Sequence, residues 1–195
     1  APMAGLEHLV VGSAVQHLPS RAFYGKTSLR SASFAASLNS IGDSCFYGCS
    51  VLRGTLQLPA GLSQIGAAAF AGCSSLSGTI AFSSSLQSVG VAAFSNCDSI
   101  LNLDASNYSG TIPDAAFSGC VRLYQALLGD NVSAIGSNAF GGCVRLAEIG
   151  LGASLSAIGS KAFNGCIRLV APLFPETLST IGDSAFYGCS LLGGD

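Results

Sequence analysis

The sequence predicts a solenoid: one short α/β unit, a strand followed by a turn or a short helical piece, wound about eight times around a shared core. Three observations predict it. A phenylalanine returns at Phe23, Phe46, Phe70, Phe94, Phe117, Phe140, Phe163 and Phe186, at intervals of 23, 24, 24, 23, 23, 23 and 23 residues. Three residues after each of the last seven stands a cysteine, Cys49, Cys73, Cys97, Cys120, Cys143, Cys166 and Cys189, with Lys26 in that place in the first copy. Three residues later again comes a closing aliphatic: Leu29, Leu52, Leu76, Ile100, Leu123, Leu146, Leu169 and Leu192. Such a register marks an array whose units bury their apolar faces only by stacking on one another. Residues 1–195 are therefore read as a single solenoid, a piece of a longer array.

Taken in order, the chain opens on a partial unit, in which Leu6, Leu9, Val11, Val15 and Leu18 fit the strand pattern. After each closing aliphatic an alternating segment follows, such as Leu146, Ile149 and Leu151, which reads as a strand of period two. The two 24-residue copies carry one extra residue before this strand, in Arg53-Gly54-Thr55 and Ser77-Gly78-Thr79, where a glycine bulge costs least. The segment I-G-x-x-A-F-x-G-C is too short for a free helix, so stacking must hold it as a turn or a short 3₁₀ or α piece. Its second position holds Gly42, Gly66, Gly90, Gly136, Gly159 and Gly182, a bend that a side chain would obstruct. Pro19 and Pro113 replace it in two copies, which requires negative φ there. The last residues, Leu192-Gly193-Gly194-Asp195, stop where the next strand would begin. Neither end carries a polar cap, which leaves layers for more array or another chain to cover.

Composition excludes several functions. Charged residues make up only 9% of the chain, so its surface must be built of Ser, Gly, Ala, Thr and Asn, which is cheap to desolvate against other chains. A formal charge of -2 offers no basic footprint for nucleic acid. No charge falls between Arg53 and Asp98, yet Pro59 and repeated glycines interrupt that stretch and no apolar run reaches membrane-spanning length. The start, A-P-M-A-G-L, has no charged region followed by an apolar run, so no leader is visible in it.

The pattern L-x-x-I-x-L-P-x-x-L-x-x-I-G-x-x-A-F-x-G-C-x-x-L, met almost in full at Leu56, Leu58, Pro59, Leu62, Ile65, Gly66, Ala69, Phe70, Gly72 and Cys73, resembles the BspA-like, or Treponema pallidum type, leucine-rich repeats. The likeness runs from Leu6 to Leu192. It implies a curved right-handed solenoid with a parallel β-sheet on the concave side and short turns or helical pieces on the convex side. It also implies a surface or secreted protein that binds proteins, matrix or host cells. Ala105 and Ser109 depart from it, standing where larger aliphatics are expected. The asparagine ladder of other leucine-rich repeats is absent, and nothing in the motif is catalytic.

The remaining constellations favour structure over chemistry. One cysteine per repeat at one equivalent place reads as a ladder of buried thiols rather than a disulfide framework. Cys45, four residues before Cys49, leaves a local bridge or a metal pair open, although no histidine lies in the array beyond His17. His8 falls on an outward strand position and His17 beside Leu18, solvated or capping places both. The carboxylates Asp104, Asp114, Asp130, Asp183, Glu148 and Glu176 are scattered without a repeating acid-base pair, and the glycines follow the repeat rather than a phosphate loop. The chain is thus read as no enzyme, with no cofactor and no metal.

Two surfaces are left for partners. Outward strand positions hold Thr55, Gln57, Thr79, Asn102, Asp104, Gln125, Leu127, Glu148 and Leu173, with Leu127 and Leu173 as anchors. Arg122, Arg145 and Arg168 recur in three successive copies, either as solvated charge or as a docking strip for an acidic partner or lipid headgroups. The expected function is a non-catalytic protein-interaction or scaffolding module within a larger assembly. The alternative is a cell-surface or secreted adhesin for matrix, glycan or host protein. The compartment stays open between the cell surface that the resemblance implies and an organellar or intracellular complex.

Overall fold

The computed structural model describes residues 5–192, so the leader reading of the first residues and the interrupted strand at Gly193–Asp195 lie outside the described residues. Eight coils stack along one axis, and every strand pairing is parallel. Alternation places a first strand in most coils and, a few residues on, a second: β1 (His8–Val11), β2 (His17–Leu18), β3 (Ser31–Phe34), β4 (Ser40–Ile41), β5 (Gln64–Ile65), β6 (Gly78–Ala81), β7 (Ser88–Val89), β8 (Ile100–Ala105), β9 (Gly110–Ile112), β10 (Gln125–Leu128), β11 (Val132–Ile135), β12 (Glu148–Gly150), β13 (Ala157–Ile158) and β14 (Thr180–Ile181). The first strands pair as β1-β3 and β6-β8-β10-β12, and the second strands as β2-β4-β5-β7 and β9-β11-β13-β14. Buried residues hold the same register from coil to coil, as in Leu103, Ala126 and Ile149.

The expected helical pieces on the convex side are corrected: no described residue is helical, and this side is a run of turns. Two left-handed residues per coil forbid a helix. Two positions before each phenylalanine φ is positive, at Arg21, Ser44, Ala68, Ala92, Ala115, Asn138, Lys161 and Ser184. Two positions after it φ is positive again, at Gly25, Gly48, Gly72, Asn96, Gly119, Gly142, Gly165 and Gly188. The backbone donors then alternate in destination. Ser44, Phe46 and Gly48 donate to Ala67, Ala69 and Ala71 of the next coil, while Cys45, Tyr47 and Cys49 donate back to Gly42, Ser44 and Phe46 of their own. The amides of these turns thereby find acceptors without a helix.

Inside the turns runs the predicted spine. The phenylalanine rings stack in sequence at centroid separations from 5.1 to 5.7 Å. Each fully buried ring contributes about 2 to 3 kcal/mol from area alone. Beside it, Cys49 Sγ donates to the Phe23 carbonyl and Cys73 Sγ to that of Phe46, both at 3.1 Å, and the pattern continues to Cys189. Because the Phe46 carbonyl already accepts from its own Cys49 N–H, the thiol fills its second lone pair.

The glycine bend is as expected. At Gly136 a Cβ would lie 2.5 Å from Asp114 Oδ1 and 2.6 Å from Asp114 N in the preceding coil. The extra-residue copies carry positive φ at Gly54 (84°) and Gly78 (78°), and the β6-β8 register shifts at Gly78. Coil 3 contributes no first strand, only the isolated bridge from Gly54 to Leu76. The second ladder breaks between β7 and β9, where Pro113 has no N–H to repeat the bond that Gly136 makes to Ile112. Tyr108 fills that break. It is 2% exposed, its hydroxyl donates to the Thr111 carbonyl at 3.3 Å and reaches the Val89 backbone, and its ring meets Phe82 edge-on at 5.4 Å. The larger side chain missing at Ser109 is supplied one residue earlier, and Ala105 is itself fully buried.

Candidate recognition surface

Strand alternation turns one set of side chains inward and leaves the other free of core duties. On the sheet β6-β8-β10-β12, the free set forms a polar row: Thr79, Asn102, Gln125 and Glu148 stand in register on successive coils. The row is linked in two pairs, Thr79 with Asn102 and Gln125 with Glu148. Asn102 Nδ2 donates to Thr79 Oγ1 at 3.4 Å, Gln125 Nε2 to Glu148 Oε2 at 2.7 Å, and Tyr124 Oη to Glu148 Oε1 at 3.2 Å. Leu127 adds an apolar residue at 40% exposure.

Other predicted positions do not join it. Thr55 and Gln57 are exposed but sit in coil 3, outside any strand. Asp104 turns aside to cap a local turn, accepting from Ser106 Oγ at 2.6 Å and Ser106 N at 3.1 Å. Leu173 is 94% exposed in coil 8, where Pro172 and Pro175 flank an extended segment that forms no ladder. Arg122, Arg145 and Arg168 are all exposed, and among the described residues the one ion pair joins Arg30 to Glu7.

Tyr124 and Leu101, both exposed, were missed as members of this face. Each directly follows or extends past a closing aliphatic, a position where other copies carry Arg30, Arg53 and Ser77, and that variability was the available signal. A second aromatic feature, Tyr24 stacked on Tyr47 at 5.0 Å with Arg21 over Tyr24 at 4.6 Å, lies on the turn side of the first two coils.

Nothing in this geometry resembles a reaction centre. The eight cysteines are buried free thiols. Burial pushes Cys45, Cys120 and Cys166 up from 9.0 to about 12, so they stay protonated and are poor nucleophiles. His8 and His17 each meet a serine hydroxyl, Ser31 and Ser40, at 2.8 Å, and no carboxylate completes either pair. Asp43, Asp114 and Asp130 are spent on backbone: their carboxylates accept from Ala67, Ser137 and Ala153 of the next coil. Among the described residues no three His, Cys, Asp or Glu side chains converge to hold a metal, and no helix is long and apolar enough to cross a membrane.

A stack of parallel-strand coils around a leucine and phenylalanine spine is a leucine-rich-repeat solenoid. The particular family follows from the sequence match. The profile described as BspA type Leucine rich repeat region (6 copies) matches residues 3–123, 54–170 and 110–193, and the chain belongs to that family. A leucine-rich repeat protein from Bacteroides ovatus is 27% identical and superposes with a TM-score of 0.80 over 95% of this chain and 54% of its own. One from Eubacterium ventriosum is 19% identical with a TM-score of 0.75, over 97% of this chain and 60% of its own. The Treponema pallidum leucine rich repeat protein is 32% identical, with a TM-score of 0.68 over 83% and 77%. The chain thus spans a little over half the length of the first two. No curated protein matches it. These matches indicate no enzymatic family.

Proposed function

We propose that this chain is a non-catalytic protein-recognition module, a structural member of a larger assembly, which meets its partner through the outward face of β6-β8-β10-β12. The observation that carries the reading is the cross-linked polar row. Gln125, Glu148 and Tyr124 hold one another in place before any partner arrives, so little side-chain entropy remains to be lost on binding. Exposed Leu101 and Leu127 beside that row supply the apolar contact that would anchor it, and Leu173, off the ladder in coil 8, offers a further exposed apolar side chain.

The charge-poor surface supports the same reading, because Ser, Gly and Thr shed water at little cost. The test is a cross-linking pull-down from the native source comparing the unaltered chain with Gln125→Ala, Leu127→Ser and Leu173→Ser. A specific partner lost in the Leu127→Ser variant supports this face, and full retention by all three rejects it.

A further inference from the structure

One surface is left over by that reading. The residue after the repeat cysteine, or after Lys26 in the first copy, is Thr27, Ser50, Ser74 or Asp98 where coils 1 to 4 end, but Val121, Val144 and Ile167 where coils 5 to 7 end. These three are 39%, 37% and 49% exposed. The next position changes at the same coils, from Ser28, Val51, Ser75 and Ser99 to Arg122, Arg145 and Arg168. Two parallel rows result, one apolar and one cationic, confined to one end of the array. No described carboxylate pairs with the cationic row, although three like charges one coil apart repel one another.

We propose that these rows seat an acidic amphipathic helix of a partner protein, lying along the solenoid axis. The argument is one of pitch and charge. In these coils the stacked rings lie 5.7 and 5.4 Å apart and paired strands about 4.8 Å apart, close to the roughly 5.4 Å that an α-helix rises per turn. A helix with Asp or Glu at i, i+4 and i+7 therefore presents one carboxylate to each arginine, and its adjacent apolar row falls on Val121, Val144 and Ile167. An extended acidic strand repeats its side chains at about 6.6 Å and drifts out of register within three coils. Three arginines on a chain of net charge -2 also fall short of the roughly four to eight basic residues that draw a protein to anionic lipid.

The proposal rests on the recognition reading but places a second surface, so each can fail without the other. The probe is a synthetic helical peptide of roughly sixteen residues, with Glu at i, i+4 and i+7 and Leu one position before each, measured by fluorescence anisotropy. Binding should weaken as salt rises, and R122E/R145E/R168E should lower affinity at least about tenfold while circular dichroism shows the fold intact. Val144→Ser should weaken binding with the salt dependence retained, and Leu127→Ser should leave it unchanged. No binding by the helical peptide overturns the proposal. So does equal binding by the same residues rearranged as an alternating extended peptide, or sedimentation with phosphatidylserine vesicles in place of peptide binding.

Discussion

The turn side and the strand side of each coil belong to the same residues' worth of chain, yet they hold the stack together differently. On the turn side every successive pair of coils meets alike, ring on ring and thiol on carbonyl, from Phe23 to Phe186. On the strand side the first ladder lapses at coil 3 and the second between coils 4 and 5. Continuity along the axis therefore rests on the turns, and the strands are where the sequence can vary. That division explains how the outward strand residues come to be free of core duties.

The sharpest way to break the comparison is pH. Burial holds the spine thiols neutral, so their contribution is complete below the unfolded value of 9.0 and is lost as pH rises toward about 12. For Cys120 the gap from 9.0 to about 12 corresponds to about 4 kcal/mol. Thermal melts followed by circular dichroism should show the Tm falling from pH 9 upward, and Cys120→Ala should flatten that fall. A pH-independent Tm across this window would remove the thiols from the account.

Next in size is the ring ladder. Phe117→Ala should cost about 3 to 5 kcal/mol in urea denaturation and divide the unfolding of coils 1–4 from that of coils 6–8. A loss below about 1 kcal/mol would place cohesion on the strand side instead. Gly136→Ala should cost about 3 kcal/mol, because its Cβ would lie 2.5 to 2.7 Å from Asp114 and the Pro113 backbone. Gly12→Ala, with open space around it, should change stability by no more than about 0.5 kcal/mol. Among the substitutions expected to cost stability the mildest is Tyr108→Phe, which removes the hydroxyl bridging the break in the second ladder and should cost about 1 kcal/mol.

Much of this was legible in the residues. Phe, Cys and the aliphatics recur because the core demands one shape per layer, and Gly136 and its equivalents recur because backbone passes close behind them. The turn conformation was not legible, because the left-handed position two residues before each phenylalanine accepts Arg21, Ala68, Asn138 and Lys161 alike. Bonds to the next coil impose it against local preference, and such bonds leave no mark on residue type. On the candidate face, the alternation marked Gln125 and Glu148 as outward residues, and they stand in register across β10 and β12. The lapse at coil 3, which isolates Thr55 and Gln57, depends on how Pro59 and two glycine bulges add up over three coils. The role of Tyr108 was hidden for a related reason: the chain takes its large residue one place early.

On the turn side the backbone N–H groups that leave their coil around each phenylalanine, such as those of Ser44, Phe46 and Gly48, all reach carbonyls of the next coil, while the thiols and the bend amides, such as Gly42 to Leu18, reach back. In this set of turn amides the stack has a head and a tail, carbonyls toward one and donors toward the other. Two such stacks can continue this turn-side bonding into each other only when head meets tail.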